Sequence, residues 1–303
     1  MQPILNYIKH PESLLDSLVK NFGQWLPDST YIKLRYRCQM GKRLNLRKPQ
    51  TFSEKLQWLK LFDQKPVYTK MVDKILAKEY VASKIGAEYV IPLLGVWKRP
   101  EDIEWDSLPD SFVLKTNSGG GNAGVIICKE KSKIDRQSVI NNLKYALKQN
   151  IFRTRREWPY KNVKPQILAE QYITPEIDTN DLHDYKFFCF NGIVKCFKID
   201  FNRHIDHHAN YYDCEGNILP FGEKDFLPQP EKKIELPKNL RRMIEFAEVL
   251  ANGCHFLRVD FYETNEQMYF GEMTFYPASG MGKFEPEEWD YKLGEWLKLP
   301  EQK

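Results

Sequence analysis

The sequence predicts an α+β protein, with an N-terminal helical region in front of two mixed lobes. Three observations lead there. Up to Gly86, apolar side chains recur at helical spacing. From Phe112 onward the apolar runs shorten and alternate, as strands with one buried face do. Two of these runs fold back on themselves as hairpins, with helical stretches between them.

Taken in order, "PESLLDSLVKNF" and "TFSEKLQWLKLF" place apolar residues along one helical stripe after a Pro, Ser or Thr start. "VYTKMVDKILAKEYVASKIG" (67–86) extends the pattern as one helix closed by Gly86 and leads into a strand at 89–97. The loop "KRPEDIEWDSLPD" marks a boundary. Then come the strands "SFVLKTN" and "GVIICKE", the helix "DRQSVINNLKYALKQN", a basic and aromatic loop over 151–165 and the strand "QILAEQYI". In "DYKFFCFNGIVKCFKIDF" the pair Asn191-Gly192 between alternating apolar runs is a strong hairpin signal. A helix over 238–251 precedes the second hairpin, "FLRVDFYETNEQMYFGEMTFY". The chain divides accordingly into 1–65 (helical and basic), 66–109 (helix and strand leading into the core), 110–174 (a small lobe) and 175–303 (a C-terminal lobe).

With 303 residues, 42% hydrophobic and 28% charged, the composition is that of an ordinary globular protein. The longest nearly apolar run, "YVIPLLGVW", is far below the roughly 20 residues of a membrane span, and the expected location is the cytoplasm. Cys38, Cys128, Cys189, Cys196, Cys214 and Cys254 form no C-x-x-C pair and read as reduced thiols. The net charge is +4, but residues 33–48 carry Lys33, Arg35, Arg37, Lys42, Arg43, Arg47 and Lys48 without an acid. Such a segment is either a solvated basic face or an attractor of anions: a polyanionic glycan, nucleotide-sugar phosphates or an acidic membrane surface, with nucleic acid not expected.

Residues 112–128, "FVLKTNSGGGNAGVIIC", hold Gly119, Gly121 and Gly124 in G-x-G-x-x-G spacing. A dinucleotide-binding turn needs a helix to follow, and here a strand follows. A Walker A loop puts its lysine after the last glycine, whereas Lys115 precedes the loop. No H-R-D-x-x-x-x-N precedes Asp260, so "RVDFY" is not a kinase D-F-G. What remains is a strand–loop–strand flap over nucleotide phosphates, or a hairpin that binds nothing.

In "LRVDFY", alternation puts Arg258, Asp260 and Tyr262 on one face, and "MYFGEMTF" offers Phe270, Glu272 and Thr274. A turn centred near Asn265 sets Arg258 opposite Glu272 with Asp260 diagonal to it. Two clustered carboxylates raise one another's pKa unless a cation joins them, which suits Mg²⁺ with phosphates completing its shell.

Taken with the flap, "TFSEKLQWLKLFD", "DKILAKEYV", "FVLKTNSGGGNAG", "DYKFFCFNG" and "GEMTFYPASG" resemble the ATP-grasp superfamily, and within it the teichuronopeptide-biosynthesis branch of bacterial surface-polysaccharide genes. The resemblance spans roughly residues 45–299. It implies two α+β lobes clasping ATP, with ATP and Mg²⁺ as cofactors. It assigns Lys74 and Lys115 to the α and β phosphates. Ser118, Gly119, Gly120, Gly121 and Gly124 cover the β and γ phosphates. Glu170, Gln171, Tyr172 and Ile173 form the adenine hinge, and Glu176, or Asp178 if the loop is offset, binds ribose. It makes Arg258 the catalytic cation beside Lys115 and gives Asp260 and Glu272 to the metal, with Thr274 where many relatives have Asn. Ser279 and Gly280 approach the substrate carboxylate. Lys186 faces the nucleotide cleft or solvates a hairpin edge, and His204, His207 and His208 read as loop residues.

The implied activity is ATP-dependent ligation of a carboxylate to an amine through an acyl phosphate, on a cell-envelope glycan or its precursor. Two other readings stay open: a sugar or glycan kinase with a hydroxyl acceptor, and a non-catalytic binding module in polysaccharide assembly.

Overall fold

The computed structural model describes residues 11–119, 124–175, 183–202 and 206–301. Two antiparallel sheets organise them. The four-stranded sheet has the order β1-β4-β2-β3, from β1 (Leu93–Trp97), β2 (Phe112–Thr116), β3 (Val125–Cys128) and β4 (Ile167–Gln171). The five-stranded sheet has the order β10-β9-β5-β6-β7, from β5 (Asp184–Phe190), β6 (Ile193–Phe201), β7 (His208–Tyr212), β9 (Phe256–Thr264) and β10 (Gln267–Thr274). A two-stranded ribbon joins β8 (Gly222–Glu223) to β11 (Phe284–Glu285).

Each sheet has its own core. Phe112, Leu114, Ile167 and Ala169 of the smaller sheet pack on Val139 and Leu143 of a helix over Arg136–Leu147. The larger core gathers Phe187, Phe197, Val259 and Phe261 with Met243, Ala247 and Leu250 of the helix Leu240–Ala251. Helix α3 (Phe52–Phe62) adds Phe52, Leu56 and Leu59 to this second core. Its start is fixed by a capping box in which the Thr51 side chain accepts from the Glu54 amide while the Glu54 carboxylate takes the Thr51 amide. Before it, α1 (Pro11–Phe22) and α2 (Asp28–Met40) pair side by side, and Arg35 of the basic segment is turned inward to Asp16 at 2.7 Å. The segment is thus not uniformly a free cationic face; Lys33, Arg37, Arg43, Arg47 and Lys48 are its exposed members.

Three local expectations need correction. The single helix over 67–86 is two, α4 (Pro66–Val72) and α5 (Leu76–Ile85), broken at Asp73-Lys74-Ile75. Asp73 Oδ1 takes the Ile75 amide at 2.9 Å, and the Lys74 amide donates to the Asn117 carbonyl at 3.2 Å. Side-chain and tertiary acceptors thus replace the helical ladder there. The loop over 151–165 contains a short helix, Ile151–Arg155, started by Asn150, whose side chain accepts from the Arg153 amide. In the second hairpin the positive-φ turn is at Asn265 and Glu266, and a bulge lies between Phe270 and Glu272. Asp260 is therefore opposite Glu272, Arg258 opposite Thr274, and Phe270 opposite Phe261. Gly271 eases the bulge, since a Cβ there would stand 3.1 Å from the Asp260 carbonyl oxygen and the neighbour would have to give way slightly.

Candidate functional site: a nucleotide cleft and a charged sheet face

The break between α4 and α5 points Lys74 into a cleft between the two sheets. This cleft is lined by Lys74, Lys78, Lys115, Tyr160, Glu170 and Glu272 among others. Asn117, fully buried at the end of β2, sets the geometry. Its Nδ2 donates to Asp73 Oδ2 (2.9 Å) and the Lys164 carbonyl (3.0 Å), and its Oδ1 accepts from the Gln166 amide (2.8 Å). One side chain thereby ties the helix break, the flap strand and the start of β4 together. Lys74 Nζ donates to the Gly119 carbonyl at 2.7 Å and stands 3.8 Å from Glu272 Oε2.

Lys115 Nζ lies 2.5 Å from Glu170 Oε2, and Lys78 Nζ lies 2.8 Å from Glu170 Oε1. Burial disfavours the Glu170 carboxylate, but Lys115 and Lys78 outweigh it and hold the group below the usual carboxylate range. Within the expected hinge, the Glu170 side chain organises two cations. The Gln171 amide donates to the Pro92 carbonyl at 3.0 Å, while Tyr172 and Ile173 follow the strand, half-buried.

Beside the cleft, one face of the five-stranded sheet carries charge from β10 across β9 and β5 to β6. Arg258 forks onto Asp260, with Nε to Oδ1 at 2.7 Å and Nη2 to Oδ2 at 2.6 Å, and its Nη2 also reaches Glu272 Oε1 at 3.0 Å. Lys186 stands opposite Asp260 in register, 8% exposed, and its ammonium is held by Asp184 and by Asp200 at 2.6 Å. It belongs to the same charged face but does not line the cleft. Thr274 Oγ1 is 3.5 Å from Glu272 Oε1, so the hydroxyl joins the same group. Of the histidines, His207 pairs with Asp200 (2.9 Å) and His208 with Asp206 (2.8 Å), while His204 lies outside the described residues.

Asp260 and Glu272 suit a divalent cation. Burial pushes the Asp260 carboxyl up to about 7 against the pull of Arg258, with Asp184 and Glu272 adding to the rise. A hard cation on these two groups relieves that repulsion and needs only one or two carboxylates once phosphates share its shell. No cluster of three or more His, Cys, Asp or Glu ligands occurs among the described residues. A proton should therefore leave as Mg·ATP binds: below about pH 7 the cation displaces it from Asp260, and well above pH 7 none is bound there. Calorimetry in buffers of different ionisation enthalpy should show release at pH 6 that fades by pH 8.

The loop after β10 is held from behind. Ala278 and Ser279 have φ of 46° and 56°, left-handed backbone that non-glycine residues rarely adopt. Gln57 Nε2 donates to the carbonyls of Ser279 (3.0 Å) and Gly280 (2.7 Å), and Lys60 Nζ to the Ser279 carbonyl (2.8 Å) and hydroxyl (2.9 Å). Lys60 is 1% exposed; burial pushes its ammonium down to about 7, and burial likewise pushes neighbouring Glu157 up. Helix α3 thus fixes the conformation in which Ser279 and Gly280 present themselves.

Of the flap, Ser118 and Gly119 adjoin Lys74, while Gly120 and Gly121 lie outside the described residues, as do Glu176 and Asp178. Gly124 has a structural reason to be glycine: φ is +77° and a Cβ would stand 2.7 Å from Ala146 Cβ. Sequence reasoning missed Lys78, Asn117, Gln57, Lys60 and Asp200. Asp73 alone carried a signal, as an acceptor residue three positions before a helical run.

The model of the TupA-like ATP-grasp family matches residues 54–298. The chain belongs to the TupA-like ATP-grasp family. Its two-sheet architecture with a glycine loop and a carboxylate hairpin is thus the ATP-grasp arrangement that the sequence predicts. None of the curated proteins matches the chain. Among solved structures, it is similar to D-alanine–D-alanine ligase from Bacillus anthracis complexed with ATP (16% identity, 75% of this chain, 63% of that one, TM-score 0.42). It is also similar to D-alanine–D-alanine ligase from Helicobacter pylori (16%, 82%, 70%, 0.43) and to biotin carboxylase from Campylobacter jejuni (17%, 94%, 54%, 0.43). The TupA-like chain spans less than two thirds of the length of the B. anthracis ligase. No described helix is long and apolar enough to cross a membrane.

Proposed function

We propose that the protein is an ADP-forming ligase that joins a carboxylate to an amine, acting in the cytoplasm. The observation that supports this most directly is the convergence of Lys74, Lys115 and Arg258, from three separate elements, on a surface where Asp260 and Glu272 face each other across one hairpin. A triphosphate lying along this surface has Lys74 and Lys115 beside its inner phosphates and Arg258 at its transferring end. An oxygen of the substrate carboxylate attacks the γ-phosphorus and the bond to the β-phosphate oxygen breaks, giving an acyl phosphate and ADP. The amine nitrogen then attacks the acyl carbon, phosphate leaves, and the nitrogen's proton passes to solvent.

Mg²⁺ on Asp260 and Glu272 would supply neutralisation of phosphate charge. Arg258 and Lys115 offset the charge that develops on the γ-phosphoryl oxygens. Ser279 and Gly280, fixed by Gln57 and Lys60, orient the carboxylate. The TupA-like assignment favours a cell-envelope or capsular glycan, or its nucleotide-linked precursor, as one partner and an amino acid as the other.

An ADP-release screen that crosses uronic-acid nucleotides and glycans with amino acids tests this reading. Glu272→Gln should lower the rate of any productive pair by about 10²-fold or more, as loss of a preorganised charge does. Full activity in that variant would remove Glu272 from the metal site. A phosphorylated product with no amide and no hydroxylamine-trappable intermediate would make the protein a kinase.

A further inference from the structure

Helix α1 turns a row of large apolar side chains to solvent. Asp16 faces α2, where Arg35 holds it at 2.7 Å and Gln39 at 3.0 Å, and Val19 is buried. Leu14, Leu18 and Phe22, each four residues from the next, run along another side of the helix with Leu15 beside them, and Trp25 in the turn Gly23–Trp25 continues the row. The four helix residues are 41 to 72% exposed and Trp25 is 81% exposed. Single exposed leucines are ordinary on a globular surface, but a continuous apolar row marks a contact.

The charge of the same helical hairpin decides what kind of contact this is. Residues 11–48 carry eight Lys and Arg against three acids, a net +5, whereas the whole chain is +4. The protein's excess positive charge is therefore concentrated here. Two of the three acids are already paired, Asp16 with Arg35 and Asp28 with Arg156 at 2.8 Å, while Lys20, Lys33, Arg37, Arg43, Arg47 and Lys48 are exposed. A polyanionic glycan or a nucleotide phosphate satisfies such cations but offers no apolar phase to a row of leucines. A second copy docked through the same face sets +5 against +5. An anionic bilayer meets both features at once: apolar and aromatic side chains settle between headgroups and acyl chains, while Lys and Arg are drawn to the negative lipid surface.

We infer that the α1–α2 hairpin docks the protein on an anionic lipid surface, with Leu14, Leu18, Phe22 and Trp25 entering the bilayer interface and the cations of α2 and the segment after it held by lipid phosphates. The contact lies in the plane of the surface, since no described helix is long and apolar enough to cross a membrane. A helix with its side chains is only about 10–12 Å across, so the cations of α2 stand within roughly one or two screening lengths of a surface that α1 touches. The inference goes beyond the ligase reading and does not depend on it. None of residues 11–48 lines the nucleotide cleft, so the hairpin can be altered without touching that site.

Cosedimentation of the whole protein with vesicles tests this, using equal parts of phosphatidylglycerol and phosphatidylcholine in one set and phosphatidylcholine alone in the other. The wild type should bind the anionic vesicles at least tenfold more tightly, and raising salt from about 0.1 M to about 1 M should remove most of that preference. Phe22→Ser combined with Trp25→Ser should weaken binding to the anionic vesicles at least tenfold; both positions are exposed, so the variant should melt with the wild type. Lys33→Gln combined with Arg37→Gln should reduce the preference for anionic lipid and leave binding to phosphatidylcholine unchanged. Equal binding to the two vesicle sets, or a serine variant that binds as tightly as the wild type, would overturn the inference. So would a wild type that stays in the supernatant, and two further measurements then say what covers the row. If deleting residues 1–10 restores binding, that segment occupies it; if the wild type is a dimer by sedimentation velocity and the serine variant a monomer, a second copy does.

Discussion

Arg258→Met should slow ADP formation by about 10³-fold or more and cost roughly 3–5 kcal/mol of stability at neutral pH. The first effect follows from placement: the guanidinium bridges Asp260 and Glu272 at 2.6 to 3.0 Å, beside the position of a transferring phosphoryl group. The second follows from burial. Asp260 is 1% exposed, and without Arg258 both of its oxygens lose their donors. The pH dependence has a definite sign. Burial already holds the folded-state Asp260 carboxyl up near 7, above its unfolded value, and removing Arg258 raises it further. The folded variant then keeps a proton in the range above about pH 7 where the folded wild type has released it, so its stability deficit shrinks as pH falls toward about 7 and changes little below that. Urea unfolding at pH 5 and pH 8 should show a smaller difference from wild type at pH 5. Equal differences at both would mean that Asp260 is not the group left stranded.

How much of this was legible beforehand depends on whether a residue's role is local. The carboxylate hairpin could be read because strand alternation places Arg258 and Asp260 on one face and the hairpin returns Glu272 beside them, although it is the bulge that turns Glu272 to that face. Its register was misread by two residues: the turn lies at Asn265-Glu266 and not on Asn265 alone, and the bulge between Phe270 and Glu272 adds the second, for which Gly271, an isolated glycine in a strand pattern, was the available warning. The helix break at Asp73 was hidden by apolar residues that keep helical spacing on both sides of it, although Asp73 is itself a good cap. Gln57 and Lys60 could not be found at all. On α3 they read as the polar stripe of an amphipathic helix, and only the tertiary fold turns them onto Ser279 and Gly280. Asp184 and Asp200 carried no signal of their own, and only the sheet brings both to Lys186.

The residue on which the nucleotide cleft most depends is not itself among the predicted ligands. Asn117→Ala should destabilise the protein by about 3–5 kcal/mol and weaken Mg·ATP binding at least tenfold, by roughly the loss of one well-placed charge. The substitution takes the donor from Asp73 Oδ2 and the Lys164 carbonyl and the acceptor from the Gln166 amide, all around a fully buried position. Asp73 is 5% exposed, so water does not readily replace the lost partner. Freed of Asn117, the segment Asp73-Lys74-Ile75 has the sequence to continue the helix on either side, which would carry Lys74 away from Gly119 and Glu272. Binding should then fall by more than the stability loss alone explains at temperatures where the variant is fully folded. Asn117→Asp separates shape from charge: it keeps the volume and the acceptor for Gln166 but sets a carboxylate where Nδ2 now lies 2.9 Å from Asp73. Its damage should be worst at pH 8 and ease as pH falls and one of the two acids takes up a proton. If Asn117→Ala binds Mg·ATP as tightly as the wild type, the break between α4 and α5 is held by the helix ends themselves, and Lys74 owes its position to Asp73 alone.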